Sequence, residues 1–592
     1  MAHLDTSKTR AEKYDVIVVG SGAAGGMAAY ALALAGAKVL MIEAGRNYNP
    51  TTETPMFQSY ADAPLRGAST PEKPNGFFDS TIGGWVVPDE PYVVKDNAKD
   101  AWTEGTPQNR MKTTQNFMWW RARMLGGRTN HWGRVSLRMG PFDFKPRTRD
   151  GLGVDWPIGY DDVAPYYDKA DQLVGIFGSK EGLENNPDSD FFQPPPKPRA
   201  YEHLLMRAGK KLGIPVIPAR MAILTKPLNG RSACFYATPC YRGCSIRANF
   251  QSPTVLIPPA LATGNLDVIT DAMVREVTLD AQGRATGIHF IDKHTGKEEH
   301  VAARAVVLGA SAMESARILF NSRSAKFPHG LGNSTGHLGR WLTDSTGSDL
   351  GGQIPALENM PLHNEDGVST MHTYAPWMRH DEARDGKLGF PRGYYMFWSG
   401  GRTMPGMGSL GGALSLAGDV FGKKLKDETR RYFGSFVNIG ARGEMVPNEK
   451  SFCELDPEKK DKWGIPVLRF HFQWGDHELK QVAHMQKTFA EMIGAAGGKV
   501  SHPPEKDGAK AITAGGSVNH EMGVARMSAR AEDGVTNSFG QLWDCPNVVV
   551  ADGAVFASNP YKNPTLTILA LAWRACDHLL DGMKKGNVAT PA

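Results

Sequence analysis

Residues 14–45 read YDVIVVGSGAAGGMAAYALALAGAKVLMIEAG, and their order decides the fold. The run YDVIVV is short, β-branched and apolar throughout, as suits a strand covered on both faces of a sheet. Gly20, Gly22 and Gly25 follow in a G-x-G-x-x-G spacing, then an Ala-rich helical stretch, then a second strand in AKVLMIEAG that ends at Glu43. Each part has a physical job. Gly20 allows the tight turn, Gly22 lets backbone approach a pyrophosphate, and Gly25 lets the helix pack close to the strand. The helix N-terminus offers N–H groups and a partial positive charge to phosphates, and Glu43 is placed to accept hydrogen bonds from ribose hydroxyls. Strand, glycines, helix, strand and acid in this order predict a dinucleotide-binding α/β unit. The stretch alone does not choose between NAD and FAD.

The rest of the chain bounds what surrounds that unit. Its 592 residues are 41% hydrophobic, enough for a large core and more than one lobe. The net charge of +5 comes without a dense Lys/Arg run, which excludes nucleic acid as an expected partner. The N-terminal MAHLDTSKTRAEK has no apolar h-region and no twin arginine, so no export signal is expected here. Lys38 and Arg574 interrupt the longest apolar runs, leaving neither with the ~20 residues of a membrane span.

Three C-terminal blocks narrow the chemistry. GGSVNHEMGVARM carries His520, NVVVADGAVFASNP carries Asp552 and Gly553, and KNPTLTILALAWRACDHL carries Asn563 and Thr565. Upstream stand MLGGRTNHWGR (124–134), DWPIGYDDVAPYYDKAD, DAMVREVTLDAQGRATGIHF with Val274, and ARAVVLGASAMESARILFNS. Together these blocks resemble the glucose–methanol–choline (GMC) family of flavin oxidoreductases, from about residue 14 to residue 582, and most weakly over 340–510. The resemblance implies FAD in an extended pose, with Gly126, Gly127, Asn130, His131, Trp132, Val274, Asp552, Gly553 and Thr565 against it beside Gly20, Gly22, Gly25 and Glu43. It implies His520 and Asn563 as the active-site pair. A neutral imidazole, with an unperturbed pKa of ~6.5, can take a hydroxyl proton near neutral pH. The Asn563 amide cannot titrate and can hold the substrate oxygen. For His131 two readings stand, a covalent bond to the flavin ring, as in some relatives, and a ring packed beside it.

Half of the six cysteines lie in one short segment, Cys234-x5-Cys240-x3-Cys244. Three thiolates on one loop can hold a [3Fe–4S] cluster. A zinc site, a disulfide with one thiol left over, and inert buried thiols are the alternatives. The segment NGRSACFYATPCYRGCSIRANFQSP resembles the cluster loop in catalytic subunits of bacterial membrane-linked sugar dehydrogenases, with Phe235 where some relatives have a further cysteine. That likeness implies a dehydrogenase passing electrons singly to a cytochrome c or other acceptor. It further implies periplasmic location in a complex with a small export-signal-bearing subunit, a cytoplasmic enzyme being the alternative. The implied substrate is a sugar or glycoside. The likeness favours C3 of glycosides and also covers glucose C1, gluconate C2 and fructose C5; a sugar oxidase without a cluster is the other reading. RGYYMFWSGGR (392–402) offers sugar-stacking aromatics or a plain core strand.

The expected fold is α/β, a Rossmann-like FAD lobe of discontinuous segments (14–50, 107–140, 250–335 and 515–585). A substrate lobe with an antiparallel sheet and helices is expected over 141–233 and 336–514. The cysteine loop spans 234–249, and 1–13 is a flexible N-terminus.

Overall fold

The computed structural model describes residues 13–53, 91–105, 114–236, 240, 244–361, 367–368, 371–402 and 407–586. Nearly all of the expected N-terminal tail and parts of the cysteine loop therefore lie outside the described residues.

Strand β1 (Tyr14–Val19) sits at the centre of a seven-stranded sheet. It pairs in parallel with β2 (Val39–Ile42) on one side and with the strand Glu298–Leu308 on the other. Leu266–Ile269 extends the parallel array beyond β2. The long strand Glu298–Leu308 forks. Its C-terminal half takes Val548–Val550 in parallel, and its N-terminal half turns antiparallel to Ala285–Asp292, which pairs with Ala272–Leu279. One sheet is thus assembled from segments more than 500 residues apart. The reason lies in composition: VIVV, VLMI, VVL and VVV are β-branched runs buried on both faces. Helix α1 (Ala23–Leu34) is almost all Ala and Gly, and nine of its twelve residues are buried. A helix apolar all round belongs inside. It packs against the C-terminal helix Thr565–Lys584, with Tyr30 edge-on to Trp573 at 5.7 Å.

A second sheet of four antiparallel strands builds the other side. Its main members are β3 (Thr346–Gln353), β4 (Tyr394–Gly400) and β5 (Phe436–Gly443), in the order β4–β5–β3, with Lys499–Val500 at the β3 edge. Along β5, Val437, Ile439 and Ala441 are buried while Phe436, Asn438 and Arg442 are partly open. This period-two alternation gives the sheet one covered face. Helix α2 (Asp476–Ala495) covers it, with Val482, Met485 and Phe489 in the same core as Leu350, Trp398 and Ile439. The aromatic stretch forms a core strand. Tyr394 and Trp398 are core residues, whereas Tyr395 points the other way, toward Asn563.

A third sheet was not anticipated. Phe452–Lys460 and Pro466–His471 pair with Val93–Asp96 and Ala101–Glu104. Residues 452–471 fall in the stretch 336–514 expected to form the substrate lobe, and local periodicity carries no information about a strand's partners. Phe117, Trp119 and Phe470, packed ring on ring at 4.6 and 5.1 Å, fasten this sheet to the FAD-side core.

Candidate active site

One cleft, partly open to solvent, runs from the glycine turn to the space between the two main sheets. At one end Gly20, with φ at +91°, brings the chain so close to the last parallel strand that a Cβ would sit 2.5 Å from the Gly309 carbonyl. A Cβ on Gly25 would lie 1.9 Å from the Gly20 carbonyl oxygen, so helix and strand meet there backbone to backbone. Gly22 differs. A Cβ on it would meet nothing closer than 4.0 Å, because it faces the cleft. No side chain caps α1, so its first N–H groups are open to a ligand anion.

Glu43 is buried at the end of β2. Its Oε1 accepts from Gly45 N at 2.7 Å, and its Oε2 accepts from Ser21 N at 3.1 Å and from Ser21 Oγ. Burial pushes its pKa up, opposed by these bonds. Ser21 Oγ also accepts from Gly126 N at 2.8 Å and so ties the glycine turn to the 124–134 loop. In that loop Gly127, His131 and Trp132 line the cleft. Gly126 and Asn130 do not; they build the loop from behind. A Cβ on Gly126 would strike the Pro253 ring at 2.4 Å, and Asn130 Nδ2 donates to Leu125 O at 2.9 Å. Val274, Asp552, Gly553 and Thr565 line the cleft as well.

At the far end lies the His–Asn pair. Asn563 Nδ2 is 3.2 Å from His520 Nε2, and Ser345 Oγ is 3.0 Å from His520 Nδ1. Tyr395 donates from its hydroxyl to Asn563 Oδ1 at 2.8 Å. With Oδ1 accepting, the amide presents Nδ2 as donor to Nε2. The hydrogen-bond pattern therefore assigns a neutral imidazole with its proton on Nδ1. Burial, then Arg442 and Arg128, hold the His520 pKa down at about 3, which keeps the ring neutral. Its segment is pinned from both sides. Asp344 Oδ1 accepts from His520 N at 3.0 Å, and Asn559 Nδ2 donates to His520 O at 2.8 Å. The neighbour of Asn563, Lys562, is buried in an ion pair with Asp143.

Sequence reading missed Ser21, Ser345, Asp344 and Tyr395's bond to Asn563. It also missed Arg121 and Arg123, which line the cleft and share the buried carboxylate of Glu314. The two arginines stand directly before the quoted MLGG stretch, a signal that was available. Nothing local marks Asp344 or Ser345.

The cleft suits an extended ligand with an anionic middle. Glu521 Oε1 and Asn519 Oδ1 are buried acceptors at its wall with no hydrogen-bond partner among the described residues. Hydroxyl or N–H donors of a ligand would satisfy them. These features fit FAD. His131 is buried at the cleft wall, and burial, then Arg134 and Arg128, lower its pKa to about 3.

Cys234 and Cys244 pack in one small apolar cluster with Ala248 and Ile246, and Cys240 belongs to the core of the second sheet. Cys240 and Cys244 are buried, Cys234 partly so, and none of the three forms a disulfide. Burial, then Cys240, raises the Cys234 pKa to about 11. Arg134 donates to Trp132 O and Asn130 O, and Cys240 and Cys244 are near enough to act on its charge. The three sulfurs do not converge as a single-ion site. Among the described residues, only Glu276, His289 and Glu298 bring such ligand atoms within 4.8 Å of one another. Cys453, Cys545 and Cys576 are buried thiols.

Family models of the GMC oxidoreductases match residues 14–346 and 447–572, and the chain belongs to that family. It is 30% identical to the 2-methyl-1,2-propanediol dehydrogenase of Mycolicibacterium austroafricanum, over 96% of each chain. It is 27% identical to the fructose dehydrogenase large subunit of Gluconobacter japonicus, over 97% of this chain and 98% of that one. Its fold is that of the formate oxidase of Aspergillus oryzae RIB40, with a TM-score of 0.64 at 14% identity over 98% of this chain and all of that one. The family binds FAD and oxidises alcohol and sugar CH–OH groups. No described helix is long and apolar enough to cross a membrane.

Proposed function

We propose that the chain is an FAD-dependent dehydrogenase that oxidises a hydroxyl of a sugar or sugar derivative to a ketone, with C3 of glycosides the favoured position. The observation that carries the reading is the Tyr395–Asn563–His520–Ser345 chain at the cleft end. His520 Nε2 is the one ring nitrogen with a lone pair, and it takes the hydroxyl proton. Asn563 Nδ2 donates to the same substrate oxygen and turns the carbon toward the cleft. The glycine turn, Glu43 and the 124–134 loop would hold FAD, which would supply the two-electron, hydride-accepting chemistry. The His520→Ala protein tests this. It should retain FAD yet lose sugar-dependent flavin reduction, and unchanged reduction would sink the mechanism.

For the electrons' exit, the reading assigns Cys234, Cys240 and Cys244 to a [3Fe–4S] cluster. Support comes from three thiols without disulfides and from the influence of Cys240 and Cys244 on the charge of Arg134, which itself bonds to the 124–134 loop. Trp132 Nε1 and Phe250 O, 3.1 Å apart, join that loop to the end of the cysteine segment. A cluster spaces its thiolates more widely than a single ion does. The acceptor would be a cytochrome c or similar carrier. The chain would work in the periplasm with a small subunit that bears the export signal. Iron and labile sulfide per FAD, with an EPR spectrum, test this part, and about three irons per flavin are expected. Iron-free, active protein that forms hydrogen peroxide would make it an oxidase.

A further inference from the structure

The open face of the β4–β5–β3 sheet holds a cation that the chemistry above leaves unused. Residues paired directly across antiparallel strands point to the same face. Arg442 pairs with Tyr395 on one side and with Gly347 on the other. It therefore shares a face with the tyrosine that holds Asn563, and its guanidinium lies over Gly347, where Thr513 and Val518 occupy the place of a side chain. A Cβ at Gly347 would come 3.5 Å from Arg442 Nη1 and 2.8 Å from Val518, a cleft residue.

The guanidinium itself is under-used. Its Nη1 donates to Ala441 O at 2.9 Å, and its carbon lies 4.6 Å from the Phe397 ring centre. Among the described residues it makes no ion pair. Three arginines of the cleft wall do: Arg121 and Arg123 reach Glu314, and Arg128 reaches Glu521, all within 3.4 Å. The two acids nearest to Arg442 do not supply the missing partner. Asp344 is committed to the backbone N–H groups of Ser345, His520 and Val518. Asp349 is exposed, one strand pair further along the same face, and makes no ion pair among the described residues. A flat cation braced on an aromatic ring, half-buried and without an ion-pair partner among the described residues, matches a carboxylate in charge and in geometry.

We propose that Arg442 is a specificity-determining residue that receives a substrate carboxylate, so that the substrate is an anionic polyol of the sugar-acid class. Neutral sugars and small diols would then be the poorer substrates. The inference rests on the reading of His520 and Asn563 as the hydroxyl-oxidising pair. The charge that Arg442 places near His520 also helps keep that imidazole neutral.

The test is anaerobic flavin reduction with matched substrate pairs, an aldonate against its alditol and a glycosyl uronate against the neutral glycoside. In the wild type the acid should win in kcat/KM by about 10- to 100-fold, the range expected for a hydrogen-bonded charge pair. In R442M that ratio should collapse, chiefly through KM for the acid, and R442K should restore part of it. A non-oxidisable carboxylate such as valerate should perturb the flavin absorption of the wild type and not of R442M. A wild-type preference for the neutral member overturns the proposal while leaving the enzyme reading intact. If no member of any pair reduces the flavin, the enzyme reading fails and the proposal falls with it. Should R442M fail to load FAD, the wild-type ratio and the valerate titration decide alone.

Discussion

The two walls of the cleft are built on different principles. The dinucleotide wall is made of backbone: Gly20 and Gly25 let strand, turn and helix touch, and the ligand-facing groups are N–H groups and one buried acid. The substrate wall is made of side chains that meet across long sequence separations. Tyr395 reaches Asn563 over 168 residues and Ser345 reaches His520 over 175. A backbone site tolerates almost no added atom, whereas a side-chain site can lose one hydrogen bond and keep its shape. Substitutions on the two walls should therefore fail in different ways.

The largest effect belongs to the base. His520→Ala should slow substrate-driven flavin reduction by about 100- to 10,000-fold, the usual share of general-base catalysis, while FAD content stays constant. Stopped-flow reduction and a flavin-to-protein absorbance ratio measure both. Next come the glycines. Gly25→Ala places a Cβ 1.9 Å from a carbonyl oxygen and should cost about 1–3 kcal/mol or more of stability as overpacking. Gly22→Ala meets no close atom, so the apoprotein should keep its melting temperature and lose FAD affinity instead. Equal loss of stability in both variants would break the distinction between a packing glycine and a ligand-facing one.

Tyr395→Phe removes one hydrogen bond to Asn563 and should lower the reduction rate about 3- to 10-fold, matching a bond worth ~1 kcal/mol. An effect as large as that of His520→Ala would mean the substrate wall is as intolerant as the dinucleotide wall. The smallest effect is on pH dependence. With the His520 pKa near 3, the rate should show no protonation limb at pH 6–7. The sign follows from linkage. The unfolded imidazole binds a proton below about 6.5 and the folded one only near 3, so the His520 contribution to stability is lost as pH falls between those values. A clear limb at 6.5 in the rate profile would show that the ring is solvated when substrate arrives.

Legibility in the sequence follows the same division. The glycine turn and its strands could be read because glycine spacing and β-branched runs specify backbone geometry locally. The blocks around His520 and Asn563 were visible as motifs, yet only their neighbours in space explain the chemistry. Asp344 sits in LTDSTG, a stretch with no special spacing, and matters because it accepts from three backbone N–H groups of the site. Arg442 looks like any strand residue until register places it beside Tyr395. The sheet of 93–104 with 452–471 was missed because a strand's partner is never written in the strand itself.

What the sequence determined by itself was the glycine-turn unit, the α/β class and the motif blocks of the family, because these rest on local conformation and on functional groups that need no partner to be recognised. What the tertiary structure decided was the tautomer of His520, the tether of Asn563, the packing of Cys234 against Cys244 and the place of Arg442, which makes no ion pair among the described residues. Each of these is a distance between groups far apart in the chain, and such distances are set by strand register and packing, not by local sequence.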